Sequence, residues 1–126
     1  MRHHKSVKTL DRNHAGRQAL LRSQAISLIL IGHIRTTPVK AKVTRSFVER
    51  LITRAKTNTE ATRRYLLMKL NHNAAVNRLM KSIAPTMQQR AGGYTRITKL
   101  GYRKGDGAEQ VQLEFVGTES NRSVDQ

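Results

Sequence analysis

Residues 90–116 read RAGGYTRITKLGYRKGDGAEQVQLEFV, and their pattern settles whether the chain is all-helical or mixed. Past Gly92-Gly93, Tyr94 to Leu100 is rich in Thr and Ile, and Gln110 to Val116 alternates Val111, Leu113 and Phe115 with Gln112 and Glu114. A period of two with β-branched and aromatic residues predicts strands. Between them GYRKGDG holds glycines that permit positive φ, so the two strands are expected to close as an antiparallel hairpin. The same segment carries chemistry. From Arg90 to Gly107 it gathers five cations, five glycines and two tyrosines with one carboxylate, Asp106. Backbone that permits close approach, positive charge and flat rings suit a polyanion better than a small neutral substrate.

Toward the N-terminus, helical spacing replaces the alternation. Val76, Leu79, Met80 and Ile83 predict a helix from Asn73 to Ile83, closed by Pro85. The methionines read as core filler rather than as a partner groove. Thr57 to Glu60 has capping-box spacing and opens a helix through Leu70, with Ala61, Tyr65, Met68 and Leu70 facing inward and NHN breaking it. Thr37 and Pro38 read as N-cap and first position of a helix to about Lys56. Its apolar half is Val43, Phe47, Val48, Leu51, Ile52 and Ala55, and its charged half Lys42, Arg45, Glu49, Arg50 and Lys56. A short strand is expected at 33–36, where Ile34 and Thr36 are β-branched. A first helix from Arg12 to Ile31 puts Leu21, Ala25, Leu28 and Ile29 on one stripe and ends at Gly32. The expected architecture is α+β: four helices packed with a small three-stranded sheet. Residues 1–11 are expected to be a flexible basic N-terminal arm, 12–117 a single domain and 118–126 a disordered tail.

At 126 residues the chain fits one domain with one core. Having no Trp, two Phe and three Tyr, that core must be mostly aliphatic. Charge is the dominant feature, with 24 Lys and Arg against 8 Asp and Glu, a net of +16. The two signs are also segregated. Residues 1–105 hold 23 bases and 3 acids, whereas 106–126 hold 1 base and 5 acids. A single Lys can be solvated surface, but an imbalance of this size favours an anionic partner.

Several function classes are set aside. The absence of cysteine excludes disulfides, thiolate metal sites and a cysteine nucleophile. The longest apolar run, Leu28 to Ile31, is far short of the roughly 20 residues that span a bilayer, and the first residues lack the apolar core of a secretory signal. A soluble intracellular protein with no membrane partner is expected. Asp11, Glu49 and Glu60 are too widely spaced for paired-carboxylate chemistry. His3, His4 and His14 lack zinc spacing and a fourth ligand, so no metal or other cofactor is expected. His33 and His72 read as hydrogen-bonding to backbone or phosphate rather than as catalytic bases. Gly92-Gly93 lacks the Gly-x-x-x-x-Gly-Lys pattern of a nucleotide loop and precedes a strand. No small-molecule substrate or enzymatic activity is expected.

Nucleic acid fits best. Most of the cations are arginines, whose guanidinium forks bond phosphate bidentately and stack on bases. The arm and the start of the first helix offer Arg2, His3, His4, Lys5, Lys8 and Arg12. The first helix offers Arg17 and Arg22. The strand and second helix offer Arg35, Lys40, Lys42, Arg45 and Arg50. The hairpin region offers Arg90, Gly92, Gly93, Tyr94, Arg96, Lys99, Tyr102, Arg103 and Lys104. Tyr94 and Tyr102 either stack on unpaired bases or are partly buried hairpin residues. Charge alone does not separate RNA from DNA. Cations spread over arm, helices and hairpin imply a partner that surrounds the protein, as folded RNA can, whereas a duplex reader concentrates its contacts on one helix. The alternative class is a DNA-compacting nucleoid-type protein.

MRHHKS at the start, LDRN at 10–13, RQALLRS at 17–23, HIRTT at 33–37, KAK at 40–42, LITRAK at 51–56, RAGGYTRI at 90–97 and GYRKGD at 101–106 together resemble the bacterial large-subunit ribosomal protein L17 family. The similarity covers about residues 1–117 in order and spacing. It implies a non-enzymatic cytoplasmic component that binds large-subunit ribosomal RNA on the outer side of the subunit toward the polypeptide exit, beside neighbouring large-subunit ribosomal proteins. It also implies a fold of long first helix, short strand, three further helices and terminal hairpin. The chain departs from the family pattern at His4, where Arg is usual, and at Gly16-Arg17, where a His-Arg pair is usual. Its tail is short and acidic where many members extend.

Overall fold

A computed structural model describes residues 13–117. The expected arm (1–11), Arg12 and the expected tail (118–126) lie outside the described residues.

Helix α1 spans His14–Ile31, two residues inside the expected start, because the Asn13 side chain accepts from the Gly16 amide at 2.7 Å and caps the helix there. It stops at Gly32, whose φ of 101° turns its N–H back to the Leu28 carbonyl. Strand β1, His33–Thr36, and helix α2, Pro38–Ala55, follow as expected. Pro38 stands at the first turn of α2, where a missing N–H costs nothing.

Helix α3 spans Glu60–Leu70, and its cap differs from the expected one. Thr59, not Thr57, is the N-cap, its Oγ1 accepting from the Thr62 amide at 3.2 Å. Thr57 instead completes the turn leaving α2, its amide on the Arg54 carbonyl at 3.2 Å. The inward stripe is rotated accordingly. Thr62, Leu66 and Leu70 are buried, whereas Ala61 and Met68 face solvent and Tyr65 is half-buried. The Tyr65 ring lies under the Arg54 guanidinium, 4.0 Å from its centroid, and is flanked by Lys69.

Asn71, at φ 52°, ends α3, and the His72 ring opens α4 (Asn73–Arg78) by accepting from the Ala75 amide at 3.1 Å. Pro85 does not close this helix as expected. The backbone passes through a π turn, Leu79–Ile83, and continues as a short helix α5, Ala84–Thr86. The wider turn bonds the Ala84 amide to the Leu79 carbonyl and leaves Pro85 in a new first turn, where it needs no donor.

Strands β2 (Thr95–Tyr102) and β3 (Glu109–Phe115) complete an antiparallel sheet of order β1-β3-β2. β1 reaches β3 across the helical region and makes it the central strand. The registers His33–Glu114–Arg96, Ile34–Leu113–Ile97 and Arg35–Gln112–Thr98 define two faces. Ile34, Val111, Leu113, Phe115 and Ile97 join the core formed by Ala25, Leu28 and Ile29 of α1, Val48, Leu51 and Ile52 of α2, Leu66 and Leu70 of α3, and Val76 and Leu79. The other face carries His33, Arg35, Arg96, Gln112 and Thr98. A bulge between Lys99 and Gly101 twists the hairpin beyond the body. Among the described residues, no helix is long and apolar enough to cross a membrane.

Candidate nucleic-acid interface

The outer sheet face is positioned from beneath. Gln24 of α1 donates to Thr36 Oγ1 at 3.1 Å and accepts from Thr44 Oγ1 at 2.6 Å, tying β1 to α1 and α2. Arg35 is thereby held on the exposed side of β1, and Lys40 and Lys42 follow in the first turns of α2. On the other side of β3, buried Glu114 holds Arg96 at 3.2 Å, and Lys99 extends from the exposed end of β2.

A second set of contacts anchors β2 to α2. Glu49 accepts from the Thr95 amide at 3.2 Å and from Thr95 Oγ1 at 3.0 Å, and lies 3.8 Å from Arg45. The Tyr94 hydroxyl meets Thr53 Oγ1 at 3.2 Å and the Arg90 carbonyl at 3.4 Å. Lys56 Nζ also bonds the Arg90 carbonyl and lies over the Tyr94 ring, 4.7 Å from its centroid. Burial pushes the Tyr94 phenol up, but hydrogen bonding to Lys56 and Thr53 and the Lys56 charge outweigh burial and bring it below its ordinary value.

The two tyrosines thus part company. Tyr94 is 1% exposed, so its ring is core and is closed to base stacking, while Tyr102 is 78% exposed near the hairpin tip. At that tip Arg103 Nε donates to Asp106 Oδ1 at 3.0 Å, with a second bond from its Nη2 to Oδ2, and Asp106 Oδ1 also accepts from the Ala108 amide at 3.1 Å. The bond from Arg103, aided by the Ala108 amide, holds the Asp106 carboxyl at about 2. Lys104 stands exposed between them, and the positive φ of Gly105 and Gly107 lets the loop close.

Residues 13–117 contain 19 Lys and Arg against 5 Asp and Glu. Glu49, Glu60, Asp106 and Glu114 already neutralise Arg45, Arg64, Arg103 and Arg96 within salt-bridge reach. Arg22 donates to the Lys69 carbonyl at 3.2 Å, and Arg17 occupies the first turns of α1. Among the described residues, Arg35, Lys40, Lys42, Arg50, Arg90, Lys99 and Lys104 have no carboxylate within salt-bridge distance. These cations belong to β1, α2, the loop before β2 and the hairpin, and Arg22, Arg54, Lys56, Arg63, Lys69, Arg78 and Lys81 of the helical region likewise have no carboxylate within that distance. Arg2, His3, His4, Lys5, Lys8 and Arg12 lie outside the described residues.

The family model described as ribosomal protein L17 matches residues 20–116, most of the chain and all three strands. The chain belongs to the ribosomal protein L17 family. Among curated proteins it is similar to "Large ribosomal subunit protein bL17" of Gemmatimonas aurantiaca, 47% identical over 116 residues that cover 92% of this chain and 98% of that protein. The protein of the same name from Solibacter usitatus is 48% identical over 119 residues, covering 94% of this chain and 79% of its own. That of Nautilia profundicola is 46% identical over 121 residues, 93% and 99%. The resemblance read from RAGGYTRI and its companion motifs therefore holds, as does the α+β architecture expected with it.

Lys56 was legible only as a member of the charged half of α2, and Thr53 was not singled out. Their partners Arg90 and Tyr94 are 34 and 41 residues away, and no local spacing announces such contacts.

Proposed function

We propose that this L17-family chain is a structural constituent of the large ribosomal subunit, binding and stabilising large-subunit ribosomal RNA and supporting assembly of the particle in the bacterial cytoplasm. The observation that carries this reading is the distribution of charge. Glu49, Glu114 and Asp106 are occupied in holding the protein's own elements together, and the cations of the outer sheet face, α2 and the hairpin tip that lack a carboxylate remain available for phosphate. Arg35, Lys40, Lys42, Arg50, Arg90, Lys99 and Lys104 act on phosphates, Arg17 and Arg22 extend the surface along α1, and Tyr102 stacks on an unpaired base. The basic residues of 1–11 and Arg12 add contacts of the same kind to a single RNA-binding domain at 12–117. Neighbouring large-subunit proteins are its other partners, and its work is scaffolding rather than catalysis.

Gradient sedimentation of a lysate tests the role: the chain is expected at one copy per large particle, and recovery only in the free fraction rejects it. Competition at fixed salt separates the RNA reading from a DNA-compacting one. Ribosomal RNA should displace bound ribosomal RNA far better than random duplex DNA does, and equal displacement favours DNA compaction.

A further inference from the structure

Gly92 is a glycine that the fold does not require. Its φ lies outside the left-handed region, and a Cβ there would meet nothing within 4 Å. Gly93, by contrast, has φ 63°, which explains its identity locally. Glycine loses more backbone freedom on folding than any other residue, so an exposed one with neither steric nor torsional cause points outside the chain. The surrounding backbone points the same way. Among the described residues, the amides of Ala91, Gly92 and Gly93 find no acceptor in the protein, and all three residues are exposed.

This run of open donors is nevertheless firmly placed. On its N-terminal side the Arg90 carbonyl receives Lys56 Nζ and the Tyr94 hydroxyl. On its C-terminal side the Tyr94 carbonyl receives the Val116 amide at 3.0 Å, and Thr95 is bound by Glu49. Exposed Arg90 adds a cation at one end, and Arg96 follows on β2 at the other.

We propose that residues 91–93 form a backbone cradle for the RNA sugar-phosphate chain, with successive amides donating to phosphate oxygens that approach over the bare Cα of Gly92. Lys56 and Tyr94 are positioning residues for this cradle and not contacts. A phosphate fits better than a partner's peptide backbone because the donors come in an unbroken run beside Arg90, with no intervening acceptor use. The assignment rests on the RNA reading above, and its test separates the two.

The full chain is compared with Gly92→Ala and Gly92→Val for thermal midpoint and for affinity to a transcript of bacterial large-subunit ribosomal RNA. The midpoint should hold or rise slightly, since the unfolded chain loses freedom. Affinity should fall with side-chain size, by roughly ten-fold to a hundred-fold at Val, the scale of losing one hydrogen bond to a charged group. Lys56→Met should also weaken binding while leaving the salt slope unchanged, whereas loss of a phosphate contact lowers that slope by about one. A lowered midpoint for Gly92→Ala overturns the cradle, because the fold then needs the glycine. So does unaltered affinity of Gly92→Val in a protein that binds RNA, and a variant that keeps RNA affinity but fails to enter the particle assigns the surface to a protein neighbour instead. A wild-type chain that does not bind the transcript rejects the RNA reading itself.

Discussion

Glu49 accepts twice from Thr95, Glu114 holds Arg96, and Asp106 closes the hairpin tip onto Arg103. In a chain so rich in cations, a carboxylate at any of these places finds a donor at once, and each acid fastens one element to another or one end of a loop to the other. Truncating Glu49 to Ala leaves the Thr95 amide without its acceptor and should cost about 1.5–3 kcal/mol, the range for hydrogen bonds to charged groups, measured by urea unfolding. Asp106 has a pH signature. Its carboxyl falls from 3.8 to about 2 through the Arg103 bond, so the contribution of this contact is complete above 3.8 and is lost as pH falls through about 2. A carboxyl titration followed by NMR should show that low midpoint, and Arg103→Gln should return it toward 3.8; an unshifted midpoint in the wild type contradicts the closed tip. The glycines and Asp106 marked this loop in the sequence. The tyrosines did not separate there, because their local neighbourhoods look alike and only burial against α2 distinguishes Tyr94 from Tyr102.

At the scale of elements, helix boundaries follow backbone chemistry that is local wherever a special residue imposes it. Gly32 ends α1 as read, and Pro38 begins α2 as read. Gly32→Ala forces a Cβ onto φ 101° and should cost roughly 1–2 kcal/mol of stability, seen as a lower thermal midpoint. The start of α3 and the end of the last helix differ from expectation for a related reason. Two threonines compete for one cap, and the loser, Thr57, belongs to the turn that leaves α2. Pro85 excludes an ordinary α-helical bond, but the π turn before it supplies a register in which the chain continues. β3 is the element with the most at stake, since it pairs on both edges and buries Val111, Leu113 and Phe115. Leu113→Ala should therefore cost about 2–5 kcal/mol by transfer and cavity terms, more than truncating exposed Leu100 on β2 in the same unfolding assay.

For the whole molecule, charge and architecture meet on the outer sheet face and the hairpin. If six to ten phosphates are neutralised, affinity for isolated ribosomal RNA should fall by roughly 10³–10⁵ between 50 and 200 mM salt; a flat response in filter binding is incompatible with the proposed role. Composition, alternation in 110–116 and helical spacing upstream were enough to establish an α+β chain with a strongly cationic body, because net charge and periodicity are properties of the string itself. Motifs such as RAGGYTRI were enough for its family. Folding alone determined that Tyr94 is core, that Glu114 lies buried beside Arg96, that Lys56 serves the Arg90 carbonyl, and that Ala91, Gly92 and Gly93 keep their amides open. The contacts among these join groups 18 to 41 residues apart, and a one-dimensional pattern holds no record of which distant partner arrives or which backbone amide is left without one.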